Sequence, residues 1–169
     1  MAPAYKRYFV PNAMVFFTLV TAARNPVFAD VARVSKALSI LRTVKNIHPF
    51  TMKAWVVMPD HLHLVIHTMD GRFDKIMHSF KRNLLYEFHQ KGIWAGDIWQ
   101  KRFFDHVIRN EADFAAHLDY IHFNPVHHGV ATCPADYVFS SFHYYVKKGW
   151  YAIDWGNIPP DHIKDMDLA

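Results

Sequence analysis

The spacing of apolar residues changes several times along this chain, and each change marks an element. Ala13 to Thr21 is β-branched, aliphatic and aromatic (Met14, Val15, Phe16, Phe17, Leu19, Val20), which predicts a strand. Arg24-Asn25-Pro26 breaks it. Between Asp30 and Asn46 the apolar positions are 31, 34, 37, 38, 41 and 44, the spacing of an amphipathic helix with Asp30 as its N-cap. Phe50 to Met58 reads as a second strand, Pro59-Asp60 as a tight turn, and His61 to His67 as a third strand antiparallel to the second. Asp74 to Gln90 is helical, with Ile76, Met77, Phe80, Leu84, Leu85 and Phe88 inside, Lys75, Lys81 and Arg82 outside, and Gly92 as the stop. Trp99 to Arg109 reads as a fourth strand, with Phe103 and Val107 on one face. A third helix opens at Asn110 or Glu111 and runs to about Asn124, where Pro125 discourages continuation. From Cys133 onward the segments are short and rich in Tyr, Phe and Trp.

The first six elements run strand, helix, strand, strand, helix, strand. That order predicts an α+β, ferredoxin-like split βαβ core: an antiparallel four-stranded sheet with helices on one face, plus the third helix. Residues 1–131 form this core, and residues 132–169 form an arm packed on the same domain.

Composition narrows the class. Hydrophobic residues are 51% and aromatics 16% of the chain, which excludes a disordered protein. The single cysteine, Cys133, excludes an internal disulfide and a cysteine-built zinc site, and fits a cytoplasmic protein. The apolar run Ala13–Ala23 is too short to span a bilayer. Lys6 and Arg7 before it and Val27-Phe28-Ala29 after it have the outline of a secretion signal, but Pro11-Asn12 and Arg24 read better as the ends of a strand. With 19 Lys and Arg against 15 Asp and Glu, the net charge suits a polyanion partner without requiring one.

Chemistry concentrates in Asp60-His61-Leu62-His63. Side chains two apart on a strand share a face, so His61 and His63 stand side by side, about 6 to 7 Å apart. Leu62, Leu64 and Ile66 then point the other way, into a core. Paired imidazoles on a strand are ready ligands for a divalent metal. His67 shares their face about 13 Å beyond, too far to join them.

On the third helix, Phe114, Leu118 and Ile121 form the predicted buried stripe. Asp113, His117, Tyr120 and Asn124 form a polar stripe beside it. Laid across the sheet, that stripe would bring the Asn124 carbonyl to His61 and His63 as a third ligand, and the Tyr120 phenol beside the metal. A His-His-Asn set suits Mg²⁺ or Mn²⁺ better than zinc. The metal would polarise a scissile phosphate, and Tyr120 would attack the phosphorus. A free phenol has a pKa near 10, so the attack needs a metal or a base; His117 is one candidate. Each piece also has a bland reading: a strand His-x-His in a core, a packing tyrosine, a helix-ending asparagine. His48, His78, His89 and His143 read as structural or surface residues; His122, His127 and His128 are expected at phosphate or in solvent.

Two longer stretches carry a resemblance. Met58-Pro59-Asp60-His61-Leu62-His63-Leu64 resembles the HUH motif of single-strand-specific endonucleases and transposases. Trp99-Gln100-Lys101-Arg102-Phe103-Phe104-Asp105-His106-Val107-Ile108-Arg109, and then the stretch from His117-Leu118-Asp119-Tyr120 through Asn124-Pro125 to His127-His128-Gly129, resemble the REP-associated tyrosine transposases. Ser140-Ser141-Phe142 and Asp154-Trp155 fit the same family. The resemblance spans roughly residues 8–156. It implies a ferredoxin-like core, Tyr120 as the nucleophile, and His61, His63 and Asn124 as ligands. Its substrate class is single-stranded DNA whose palindromic repeats fold into hairpins, cleaved and rejoined through a 5′-phosphotyrosine. No membrane is involved, and the protein would be a monomer or a homodimer.

Single strands are held by basic grooves with aromatic platforms. Lys81 and Arg82 on the second helix, and Lys101, Arg102 and Arg109 around the fourth strand, are the candidate DNA contacts. Tyr144, Tyr145, Lys147, Lys148 and Trp150 form a second candidate surface. Two other readings stay open: a hairpin-binding protein that no longer cleaves, and a metal-dependent hydrolase of a small phosphoester.

Overall fold

A computed structural model of the chain describes residues 6–164, 166 and 168. The first five residues of the predicted core and residues 165, 167 and 169 of the arm lie outside them. The elements are β1 (Ala13–Val20), α1 (Val31–Ile47), β2 (Thr51–Val57), β3 (His61–Thr68), α2 (Phe73–Gln90), β4 (Phe104–Val107), α3 (Glu111–His127) and α4 (Phe142–Lys147). The sheet order is β2-β3-β1-β4 and every pairing is antiparallel. This is the predicted α+β split βαβ arrangement. No helix among the described residues is long and apolar enough to cross a membrane.

Strand alternation sorts the side chains into two cores. Val15, Phe17 and Leu19 of β1, with Leu62, Leu64 and Ile66 of β3, pack against α1 and α2. Phe16 of β1 and Val65 of β3 face the other way, against α3 and the C-terminal arm. A bulge in β2 between Met52 and Ala54 breaks the alternation. It puts Met52 in the α1/α2 core and Ala54 in the α3 core, because the extra residue shifts the following side chain to the opposite face. The Lys53 carbonyl at the bulge accepts from the Tyr145 hydroxyl at 2.7 Å, which anchors the arm.

The arm also covers the free edge of β2. Val57 N–H donates to the Phe139 carbonyl and Ser141 N–H to the Trp55 carbonyl, both at 2.9 Å. Such pairing blunts an exposed strand edge.

The caps follow the sequence. Asp30 accepts from Arg33 N–H at 2.9 Å and Asn110 from Asp113 N–H at 2.9 Å, each satisfying a first-turn donor.

Three expectations need correction. β4 is four residues long; Trp99 makes only an isolated bridge to Thr21. Helix α3 passes through Pro125 to His127: the ring removes one backbone donor, and the chain beyond closes the end, with His128 N–H on the Asn124 carbonyl and Val130 N–H on the Pro125 carbonyl. Finally, α3 is buried around most of its last three turns, Phe123 included, whereas Phe114 is only half-buried. The arm covers the side that a lone amphipathic helix would leave wet.

Candidate active site

β3 is the second strand from one edge, so His61 and His63 lie between paired neighbours and are almost wholly buried, at 1% and 0% exposure. Their rings stand edge to face with centroids 5.0 Å apart. Each is fixed from behind. His61 Nδ1 lies 2.6 Å from an Asp60 carboxylate oxygen, and Arg24 holds the other oxygen of that carboxylate at 3.0 Å. Burial alone would raise the Asp60 pKa, but hydrogen bonds and charge from His61 and Arg24 outweigh it and hold the carboxyl below its ordinary value. His63 Nδ1 lies 2.9 Å from the Thr18 hydroxyl, across the β1–β3 pair that puts residue 18 opposite residue 63. Burial, reinforced by His61 and His128, pushes the His63 pKa well below the usual imidazole value. The ring is therefore neutral, and with its proton on Nδ1 toward Thr18 the Nε2 atom offers a lone pair.

The donor set fits a hard divalent cation. His61 Nε2 and Asn124 Oδ1 are 3.0 Å apart. Two ligands each about 2.1 Å from one cation, at right angles, stand about 3.0 Å apart. Among the described residues, His63 Nε2 and Asn124 Nδ2 are buried without a hydrogen-bond partner. A buried polar atom left so calls for a reason, and for His63 Nε2 a ligated ion supplies one.

α3 crosses this face of the sheet and brings in the tyrosine. The Tyr120 ring is 3% exposed and sits edge-on to His63, centroids 5.2 Å apart. Phe16 stacks on His63 at 5.4 Å and also meets the Tyr120 ring edge-on at 6.2 Å. The Tyr120 hydroxyl accepts from Leu168 N–H at 3.1 Å. Leu168 thus lies on the phenolic oxygen.

One turn earlier, His117 forms a second group of donors with His106 of β4 and Asp113, all within 4.8 Å, so a possible His/Asp metal site also exists here. It is knotted by its own bonds. The Asp113 carboxylate accepts from His106 Nε2 at 2.9 Å, Arg109 N–H at 2.9 Å and Arg109 Nε at 3.1 Å. Burial acts to raise the Asp113 pKa, but these bonds prevail and hold it down at about 2. His117 Nδ1 lies 2.8 Å from the Asp113 carbonyl, and burial lowers its pKa.

The basic residues divide. Lys81, Arg82, Lys101 and Arg102 line one groove of about 730 Å³ between α2 and the 97–103 segment. Lys81 Nζ donates to the Gln100 carbonyl at 2.8 Å. Arg109 lies beyond the other end of β4, tied to Asp113. Tyr144, Tyr145, Lys148 and Trp150 share a separate hollow of about 800 Å³.

Among the late histidines, His122 departs from expectation. It is fully buried, with Nε2 2.8 Å from Ser141 Oγ, and burial drops its pKa to about 3. It clips α3 to the arm. Sequence reasoning missed Thr18, Asp60 and His128 as neighbours of the site. Asp60 could have been found from its place beside His61. His128, whose ring is 4.8 Å from His61, continues the 113–117–120–124 stripe. Thr18 depends on cross-strand register and carries no local signal.

A single-tyrosine DNA transposase is the class of protein that such a sheet, with histidines facing a helix-borne phenol, defines. The chain belongs to the IS200-like transposases: the family description "Transposase IS200 like" matches residues 9–124. Within that family the similarity points to the REP-associated tyrosine transposases. The chain is 37% identical to the REP-associated tyrosine transposase of Escherichia coli (strain K12) over 152 residues, 89% of each chain. A relative from Haemophilus influenzae is 33% identical over 171 residues, covering 95% of this chain and 97% of its own. A solved REP-associated tyrosine transposase bound to a REP hairpin superposes with a TM-score of 0.79 at 34% identity, over 89% of both chains.

Proposed function

We propose that this transposase is a metal-dependent single-stranded DNA endonuclease and strand transferase that cleaves and rejoins palindromic hairpin DNA through Tyr120. The observation that carries the reading is the meeting of three groups in one chain: the Tyr120 ring 5.2 Å from His63, the His61–Asn124 donor pair at 3.0 Å, and the unpartnered His63 Nε2. His61, His63 and Asn124 would hold Mg²⁺ or Mn²⁺. The bound ion supplies charge stabilisation for the phosphate oxygens during displacement.

The residues do the rest. The Tyr120 oxygen forms a bond to phosphorus while the bond from phosphorus to the 3′ oxygen breaks, leaving a 5′-phosphotyrosine and a 3′-hydroxyl. The phenolic proton passes to a base, and the departing 3′ oxygen takes a proton from solvent water; His117, one turn earlier and with its pKa lowered by burial, is the base on the same stripe. Rejoining reverses the exchange, with the 3′-hydroxyl as nucleophile, and needs no nucleotide cofactor. Because Tyr120 lies beside His63 of its own chain, a monomer can carry out the chemistry in cis. Lys81, Arg82, Lys101 and Arg102 would neutralise DNA phosphates along their groove. Arg109 would touch DNA only outside it. The hairpin as partner is supported by the solved relative, which is bound to a REP hairpin.

The test is a gel assay with a labelled palindromic oligonucleotide and Mn²⁺ or Mg²⁺. The expected product is a covalent protein–DNA adduct that withstands denaturation. Tyr120→Phe should abolish it and leave non-covalent binding intact. A Tyr120→Phe protein that still forms the adduct would remove Tyr120 from its role. Retardation without any adduct would instead support the non-cleaving hairpin binder, and metal-dependent turnover of small phosphoesters without covalent capture the hydrolase.

A further inference from the structure

The basic groove does not end at its own rim. Gln100, Arg102 and Phe103 line both it and a smaller hollow of about 310 Å³, whose other walls are Thr18, Val20, Phe104 and Leu168. Thr18 is the residue bonded to His63, and Leu168 is the residue bonded to the Tyr120 hydroxyl. The two hollows therefore meet at Gln100, Arg102 and Phe103, and together they lead from the outer face of α2, over the start of β4, to the residues bonded to His63 and Tyr120.

The chemistry changes along this track. The outer part carries six cations (Arg7, Lys75, Lys81, Arg82, Lys101 and Arg102) against two carboxylates, Asp74 and Asp97. Of these, Asp74 is engaged by the Arg72 guanidinium at 2.8 and 2.9 Å, and Arg7 by the Asp105 carboxylate at 2.9 Å. The inner part is aromatic. Phe104 is 39% exposed, so one part of its ring is open to solvent. Its inward edge meets Phe16 at 6.3 Å, and Phe16 stacks on His63. The crossing point is held in place: Gln100 N–H donates to the Val20 carbonyl at 3.0 Å, while its own carbonyl accepts from Lys81.

We propose that the unpaired strand flanking the hairpin follows this track, with Arg102 taking a phosphate at the crossing and Phe104 stacking a base beside the scissile phosphate. The route rests on the DNA-cleaving reading given above and adds its path and a base platform. Cations followed by an exposed ring are what a single strand needs: charge for its backbone, then a flat face for its base. Leu168 lies in the last step of the path, so an incoming strand displaces Leu168.

The test separates the route from the cleavage. Affinity is measured without metal for two oligonucleotides that share one palindromic stem, one with unpaired flanks and one without. The flanks should tighten binding by the wild-type protein. Phe104→Leu, which keeps an apolar side chain on the edge but loses the ring, should cut that gain about tenfold, the scale of one stacked base. Phe104→Trp should restore it, and Arg102→Ala should reduce it. Binding of the flankless stem should stay unchanged in all three. Arg42→Ala, an exposed cation on α1, serves as the control and should leave both affinities alone. Photo-crosslinking from 5-iododeoxyuridine in the flank should label the peptide that carries Phe104.

A flank that adds no affinity to the wild type, or a Phe104→Leu protein with the full gain, overturns the route. So does a crosslink at Tyr144 or Trp150. A wild-type protein that binds the flank through Phe104 but forms no adduct with Mn²⁺ would overturn the cleavage reading and leave the route standing. An adduct that forms at wild-type rate in Phe104→Leu and Arg102→Ala would do the reverse.

Discussion

The two faces of this sheet do different work with the same backbone. Towards α1 and α2, β1 and β3 present Val15, Phe17, Leu19, Leu62, Leu64 and Ile66, all at 1% exposure or less. Towards α3 they present Phe16 and Val65, but also Thr18, His61 and His63, at 2% exposure or less. Of the five buried side-chain atoms without partners among the described residues, three lie on or against that second face, His63 Nε2, His122 Nδ1 and Asn124 Nδ2, while Thr68 Oγ1 and Trp99 Nε1 belong to the first. Burying such groups costs stability unless something satisfies them. The first face stabilises the domain, and its surplus offsets the cost of holding donors ready on the second.

Adjacent residues of β3 give the sharpest break of this comparison. Leu64→Ala should lower unfolding free energy by about 2–5 kcal/mol, the usual cost of emptying a core site, and leave the shift of melting temperature on adding Mn²⁺ unchanged. His63→Ala should cost less in metal-free buffer and abolish that shift. Equal losses in both variants, or a Mn²⁺ shift that survives His63→Ala, would mean the faces are not divided this way.

Acid should weaken the α3 side selectively. His122 is held neutral in the fold by burial, with its pKa lowered to about 3, while a free imidazole titrates near 6.5. Below about pH 6.5 the unfolded chain takes up a proton that the folded chain refuses. Stability should then fall by about 1.4 kcal/mol per pH unit down to about pH 3 from this group alone. Urea titrations at several pH values should show a shallower acid slope for His122→Gln. An unchanged slope would take His122 out of the account.

The smallest effect concerns the end of the arm. Ending the chain after Lys164 removes the Leu168 bond to Tyr120. One such bond is worth about 0.5–1.5 kcal/mol, so the initial rate of adduct formation should rise about two- to tenfold. A slower truncated protein would show that the arm supports the tyrosine instead of covering it.

Much of the frame was legible because it rests on local rules. Alternation in β1 and β3, Asp30 and Asn110 as caps, and the Pro59-Asp60 turn each act within a few residues. The helical stripe 113–117–120–124 was equally local, and it leads to the site observed. Helix α3 was misread at Phe114 and Pro125 because its burial is decided by residues 137–163 packing on it, which helical periodicity does not record. His122 was placed at phosphate or in solvent for the same reason, its partner Ser141 lying 19 positions away. Arg109 was grouped with Lys101 and Arg102 by nearness in sequence, yet a strand between them carries it to the other end.

The amino-acid order alone determined which side chains share a face, since a period of two or of 3.6 is a property of the backbone. That was enough to pair His61 with His63 and Tyr120 with Asn124. Only the tertiary structure decided that the two pairs meet, that Thr18 backs His63, and that the basic groove shares its rim with a hollow beside Thr18 and Leu168. Those relations join residues far apart in the chain, and they are set by strand register and by which surfaces the packing leaves open.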